Sequence, residues 1–310
     1  MARWTRRGAA RAVLCALAAA ASGARAQTQP DFDAVKIETV PVAPGVAMLV
    51  GQGGNIGVST GADGVLVIDD QFAPLHPKIA AAVAALDPRP VRFVLNTHWH
   101  PDHTGGNELF GKGGALLVAQ EEVRKRLAAG QFMKAFQREV PPAPPAALPV
   151  VTYGDDLTVH WNGDEIYLLY VPHAHTDGDT IVHFRKADAL HMGDVFVTSG
   201  YPFLDLESGG SLSGTISGCD AALALADAKT RIIPGHGPLG GRDELMRYRD
   251  MLVAARERIA KAIAAGQDVE AVVASRPTAE FDASYGNGFI KPEAFVRTAY
   301  ASLAAESADR

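Results

Sequence analysis

The chain has 310 residues, 47% of them hydrophobic and 21% charged, which is the composition of a folded globular protein and excludes a disordered or fibrous one. Its formal net charge is −6, and loss of residues 1–26 would remove five arginines and no acid, leaving 24 basic against 35 acidic residues. So acidic a chain excludes the basic footprint that holds a nucleic-acid backbone, and two cysteines, Cys15 and Cys219, exclude a disulfide-built scaffold.

The chain opens with Arg3, Arg6, Arg7 and Arg11, then a short apolar run over Ala12–Ser22, then Ala24-Arg25-Ala26 as an A-x-A cleavage signal. The run is too short to span a bilayer comfortably. Residues 1–26 therefore read as a signal peptide, with the mature chain starting at Gln27 and bound for the periplasm or the outside. Arg6-Arg7 leaves a twin-arginine route open beside the general one. No integral membrane segment is expected after cleavage.

Residues 27–36 are expected to be flexible. Short β-rich runs follow over Val35–Val40, Val46–Val50, Asn55–Ser59 and Val65–Asp69, with Asp63-Gly64 as a hairpin turn between the last two. His76–Leu86 has helical spacing with Pro77 near its start. Val91–Asn96 is a short buried strand, Ala115–Ala119 another, and Gln120–Leu127 a helix. Pro141–Pro149 is proline-rich and is expected to be a surface excursion near the site. Leu157–Trp161, Glu165–Val171, Thr180–Phe184, Ala189–Met192 and Arg231–Ile233 are five further strand candidates, and residues 241–265 and 291–305 are helical. Each half carries strands followed by helices. The class is therefore α/β (α+β), with two sheets packed face to face and helices outside, an αββα four-layer sandwich.

The strand ending at Asn96 runs straight into His98-Trp99-His100-Pro101-Asp102-His103, which holds three of the ten histidines. His98 and His100, at alternate positions, project to one side of an extended segment. Asp102 and His103 fall on the following turn and aim at a neighbouring point, so the spacing describes two adjacent binding points. Imidazole and carboxylate suit zinc, and no thiolate is offered. His175, Asp194 and His236 each follow an apolar strand and sit among small residues that permit close backbone approach.

This set resembles the metallo-β-lactamase superfamily: His98–His103 as "HWHPDH", His175 in "HAHTDGD", Asp194 in "MGD" and His236 in "PGHG". Ile68-Asp69-Asp70 after a strand is similar to the family's first motif. The resemblance runs over about residues 37–240, and residues 241–310 would be a C-terminal helical extension packed on that domain. It implies the metallo-β-lactamase fold and two Zn2+ ions per chain. His98, His100 and His175 would bind the first, Asp102, His103 and His236 the second, and Asp194 both. It also implies hydrolysis of a small-molecule substrate by a metal-activated water, with Asp102 orienting the nucleophile. Where the family's di-iron branch has a glutamate, this chain has His100, which favours zinc.

Each histidine ligand needs an acceptor for its other ring nitrogen; Asp69, Asp177 and Asp179 are the candidates. His173 and His191 are expected to pack beside the site. Trp99 either walls the pocket or belongs to the core, and Tyr201 and Phe203 are expected at the mouth. Cys219 lies in a helical pattern and reads as a small buried hydrophobe. β-Lactam hydrolysis is one expected activity. Against it, Asp194 stands where related β-lactamases have cysteine or serine, and the lysine they place three residues on is Val197. A thiolester hydrolase of the glyoxalase II kind, a lactone hydrolase, an iron-bearing redox protein and a non-catalytic exported metal-binding protein stay open. Oligomeric state is not legible.

Overall fold

The computed structural model describes residues 31–308, so the expected signal peptide over residues 1–26 and the expected start at Gln27 lie outside the described residues. The first half builds one sheet. Strands β1 (Glu38–Ala43), β2 (Val46–Val50), β3 (Ile56–Gly61) and β4 (Gly64–Ile68) form an antiparallel meander. Helix α1 (His76–Leu86) leads to β5 (Val91–Leu95), which lies parallel to β4. The short helices α2 (Pro101–Thr104) and α3 (Asn107–Lys112) lead to β6 (Leu116–Gln120), again parallel, followed by α4 (Glu121–Ala129). A separate hairpin of β7 (Gln131–Met133) and β8 (Arg138–Val140) precedes β9 (Val151–Tyr153), which closes the seven-stranded sheet beside β6.

The second half builds a six-stranded sheet in chain order from β10 (Leu157–Trp161), β11 (Asp164–Val171), β12 (Asp179–Phe184), β13 (Ala189–His191), β14 (Arg231–Ile233) and β15 (Gly240–Gly241). Helix α5 (Leu212–Leu225) makes the crossover between the parallel strands β13 and β14. Helices α6 (Arg242–Ala264), α7 (Val269–Ala274), α8 (Asp282–Tyr285) and α9 (Pro292–Ala308) follow. Among the described residues, no helix is long and apolar enough to cross a membrane.

Side-chain alternation sorts the layers. Leu66 and Ile68 of β4, with Leu95 and Val118, meet Ile166, Leu168, Val182 and Phe184 of the other sheet. Val65 and Val67 point the opposite way and pack with Ile79 and Val83 of α1. Because β4 is covered on both faces, it is apolar at every position after Gly64. Ile181, Leu190 and Ile232 turn outward onto α5, α6 and α9. The order is helix, sheet, sheet, helix. Truncating a fully buried residue such as Ile68 to alanine should cost about 2–5 kcal/mol.

Several local expectations shift. The β3–β4 turn is Ala62-Asp63, with Gly61 and Gly64 paired across its base. The first strand starts at Glu38, not Val35. Phe32 and Val35, expected to be loose, pack on the α1 side of the first sheet, and Lys78 Nζ donates to the carbonyls of Phe32, Asp33 and Val35 at 2.9, 2.7 and 2.8 Å. The proline-rich segment is no excursion at the cavity. Asn107 Nδ2 donates to the Ala147 carbonyl (3.1 Å), and the Val150 N–H to that of Leu117 (2.8 Å), so the segment lies against α3 and feeds β9, a strand hidden by its short length.

Candidate metal centre

All the candidate ligands come off strand ends at one edge of the sandwich. After β4, Asp69 adopts φ 59°, a left-handed conformation uncommon outside glycine. The turn is fixed from both sides. The Asp69 N–H donates to the Leu95 carbonyl (2.8 Å), while its fully buried carboxylate accepts from the Thr97 N–H (2.8 Å) and Thr97 Oγ1 (2.7 Å). Asn96 and Asn107 exchange side-chain hydrogen bonds at 3.0 and 2.9 Å. The chain after β5 is thus clamped before it reaches the histidines. His100 is still extended, and Pro101 starts α2. The change from strand to helix sends Asp102 and His103 in a different direction from His98 and His100.

His175 sits in the turn after β11, Asp194 in the 3-10 turn Gly193–Val195 after β13, and His236 after β14. Two glycines allow the closeness. A Cβ on Gly54 would lie 2.1 Å from the His103 ring, and one on Gly235 would lie 2.0 Å from Asp194 Oδ1.

Two groups of ligand atoms result, His98, His100, His175 and Asp194 in one, and Asp102, His103 and His236 in the other, each within 4.8 Å of one another. In the first, His100 Nδ1 lies 3.1 Å from His98 Nε2 and 2.9 Å from His175 Nε2. The outer nitrogens set the tautomers. His175 Nδ1–H donates to the Phe203 carbonyl (2.7 Å), and His100 Nε2–H to Asp205 Oδ2 (3.0 Å). Thr97 Oγ1 gives its own hydrogen to Asp69, so His98 Nδ1–H donates to Thr97 Oγ1 (3.0 Å). Three ring lone pairs therefore face one another with no proton between them, an arrangement that suits a cation.

In the second group, His236 Nε2 is 3.3 Å from Asp102 Oδ2 and 3.3 Å from His103 Nε2, and His103 Nδ1–H donates to Asp69 Oδ2 (2.8 Å). Asp194 touches both groups: Oδ2 is 3.6 Å from His175 Nε2 and 3.4 Å from His236 Nε2, and Oδ1 is 3.2 Å from His103 Nε2. Asp194 Oδ1 is buried without a hydrogen-bond partner, an orphan that a metal ion would satisfy.

The electrostatics of the groups differ. Burial lowers the pKa of His98, and that of His175 to about 4, so these two rings are neutral. Burial also works against charge on His236, but the Asp194 and Asp102 carboxylates outweigh it and hold the ring up at about 10. His103 is raised in the same way, against burial, by Asp194, Asp102 and Asp69. Asp102 and Asp194 sit well below the usual carboxylate range, because facing imidazoles overcome the cost of burial.

Asp69 meets His103 as the sequence suggests; Asp177 and Asp179 meet no ring. Arg126 takes Asp177 in a two-pronged pair at 2.7 and 2.6 Å, and Asp179 accepts from the N–H and Oγ1 of Thr176 at 2.6 and 2.9 Å. The acceptors missed are Asp205, Thr97 and the Phe203 carbonyl. Asp205 carried one signal, a lone acid between Leu204 and Leu206. His191 packs beneath the centre, its Nε2 at 3.0 Å from the Asn55 carbonyl, and His173 is exposed. Trp99 belongs to the core: its ring stands 4.6 Å from that of His100, and Nε1 donates to Ser208 Oγ (3.1 Å). Cys219 is buried in α5, its thiol pushed up by burial, and is no ligand.

The centre opens into a cavity of about 330 Å3 with His100, Asp102, Asp194 and His236 at its floor. Phe203 and Tyr201 both line it, as expected for the mouth. The Tyr201 hydroxyl, however, points away, donating to Asp282 Oδ1 (2.9 Å) while the ring stacks on Phe295.

The comparisons with known proteins agree with this geometry. The family model described as the metallo-β-lactamase superfamily matches residues 49–250. A hydroxyacylglutathione hydrolase from Erythrobacter litoralis is 30% identical over 105 residues, 34% of each chain, so the match spans about a third of that relative's length. Among solved structures, a metallo-β-lactamase from Pontibacter korlensis superposes with a TM-score of 0.57 at 18% identity, over 70% of this chain and 99% of that one. The DIM-1 metallo-β-lactamase gives 0.55 at 17%, over 71% and 99%. The fold is shared with both, and the family match together with the histidine–aspartate cluster supports a metal-dependent hydrolase. With the family model matching well over half of its length and the ligand residues converging as described, the chain belongs to the metallo-β-lactamase superfamily.

Proposed function

We propose that this protein is a hydrolase with two zinc ions per chain that cleaves a carbonyl-type bond in a small molecule. The observation that carries the reading is the pair of adjoining ligand groups joined through Asp194 at the floor of an open cavity. His98, His100 and His175 would hold one ion, Asp102, His103 and His236 the other, and Asp194 would serve both. Bound zinc lowers the pKa of water towards neutrality and polarises a carbonyl. The Asp102 side chain is 28% exposed, so besides holding metal it could accept a hydrogen bond from the attacking water and orient its lone pair. Asp69 and Asp205 keep His103 and His100 in the tautomers that point lone pairs inward.

β-Lactams belong among the substrates to try, given the fold. Thiolesters and lactones are the second reading, supported by the aspartate at 194 and by the partial similarity to a hydroxyacylglutathione hydrolase. We carry export to the periplasm or outside as part of the proposal; N-terminal sequencing of the mature protein, expected to begin at Gln27, tests it. The test of activity is turnover of zinc-loaded protein on a cephalosporin, a carbapenem, a thiolester, a lactone and a phosphodiester, beside Asp102→Ala. Turnover of a carbonyl substrate that disappears with chelation and in the variant is expected. Two bound zinc ions with no turnover on any substrate would leave a metal-binding protein, and iron in protein isolated from its own host would point to redox chemistry.

A further inference from the structure

We propose that the substrate is an uncharged carbonyl compound bearing a flat apolar group, received by an aromatic wall that three separate segments build beside the metal centre. The proposal rests on the hydrolase reading above and deepens it. The wall begins at Phe203, in the loop after Asp194, whose ring lies 5.9 Å from the rings of both His100 and His175. Phe136, from the β7–β8 hairpin, continues it at 5.1 Å from Phe203. Phe289, from the segment between α8 and α9, extends it at 5.8 Å from Phe136. Aromatic surface thus runs without a break from the metal-facing imidazoles to solvent, with Met133 and Ile290 among its neighbours in the cavity lining.

Packing does not account for the outer end. Phe289 is 79% exposed, so its ring gains little from the core. An exposed Phe289 continuing the half-buried Phe136 and Phe203 at the rim of a cavity marks a place where apolar ligand surface is buried. The C-terminal segment is also fixed in place. Tyr201 and Ile290 form an antiparallel bridge. A Cβ on Gly288 would lie 2.4 Å from the Ser199 carbonyl oxygen and 2.7 Å from Gly200 Cα, so two glycine backbones meet where this segment touches the cavity wall.

The charge of the cavity sets the rest of the substrate's chemistry. Among the described residues its lining holds no lysine or arginine. Outside it, Lys134 is paired with Glu207 (3.0 Å), and Lys291 reaches the Asn287 carbonyl (3.4 Å). Sites that recognise a carboxylate commit a guanidinium or ammonium to it; none is committed here. Water adds across the acyl–heteroatom bond and yields the acid plus an alcohol, thiol or amine, with no further reactant. Away from the candidate metal ligands, a carboxylate elsewhere on the substrate would meet no lysine or arginine, only aromatic and apolar side chains with Gln52 and Ser199 as neutral polar neighbours.

The test uses the full zinc-loaded chain and three esters of one alcohol: acetyl, phenylacetyl and 4-carboxyphenylacetyl. The phenylacetyl ester should have a kcat/KM at least about tenfold above each of the others. Phe289→Ala and Phe136→Ala should each lower that value several-fold more for phenylacetyl than for acetyl. In parallel, phenylacetamide and 4-carboxyphenylacetamide are titrated into zinc-loaded Asp102→Ala, which reads binding without turnover. The neutral amide should bind about tenfold more tightly and lose that advantage when Phe289→Ala is added. Equal or tighter binding of the carboxylate, or equal loss on acetyl and phenylacetyl esters, would overturn the proposal. No ester turnover with selective binding of the neutral amide would instead sink the hydrolase reading and leave the wall standing.

Discussion

The His98–His100–His175 half of the centre offers three imidazoles, the Asp102–His103–His236 half two imidazoles and a carboxylate, and the two are held differently. In the first, each ring has a fixed outer acceptor, Thr97, Asp205 or the Phe203 carbonyl, and burial keeps the His98 and His175 rings neutral. Its lone pairs are preorganised before any ion arrives. In the second, the His236 and Asp102 side chains are 31% and 28% exposed, and the carboxylates draw protons onto His103 and His236. The first half should therefore hold its ion by geometry and the second by charge, with Asp194 coupling them.

The most direct way to break that contrast is to remove what the halves share. Asp194→Ala should lower kcat/KM by at least about a thousandfold, since several kcal/mol of charge stabilisation go with the metals; zinc content measured alongside should fall in both halves. A zinc content unchanged at two would show that Asp194 joins nothing.

The outer acceptors sharpen it next. Asp205→Ala should weaken the first ion by about 10–100-fold and leave the second nearly untouched. Asp69→Ala removes acceptors for His103 and Thr97 together, so it should disturb both ions. Competition with a chromophoric chelator reads these differences.

Acidity separates the halves by degree. His236, raised to about 10, and the raised His103 must shed protons to bind metal, so their ion weakens as pH falls. His175, lowered to about 4, offers its lone pair down to much lower pH. Zinc content followed from about pH 8 to about pH 5 should show the second ion leaving first. Simultaneous loss would contradict the assignment.

The smallest effect is expected behind the site. Trp99→Phe keeps the ring beside His100 and loses the Nε1–Ser208 bond. It should cost about 1 kcal/mol of stability, seen as a lower Tm with zinc content intact.

The residues that cluster as candidate ligands were legible because metal chemistry limits them to a few residue types, and because they follow apolar strands whose period can be read. The split of His98 and His100 from Asp102 and His103 was legible as a turn, where the structure has the short helix that starts at Pro101. Of the acceptors, Asp69 alone was legible. Asp205, Asp177 and Asp179 are equivalent as letters, and only the fold puts Asp205 beside His100 and Asp177 beside Arg126. Three-residue β9 carries too little periodicity to declare itself and exists because β6 offers an edge. Tyr201 was placed at the cavity, but the direction of its hydroxyl depends on Asp282, far along the chain.

The measurement that bears most directly on the unequal two-ion centre is a calorimetric zinc titration of metal-free protein, with turnover followed at each point, repeated on His236→Ala. Two sequential binding steps are expected, the tighter one first, with activity appearing fully only at the second and His236→Ala losing the second step alone. A single step, or a His236→Ala protein that loses both ions together, would contradict it.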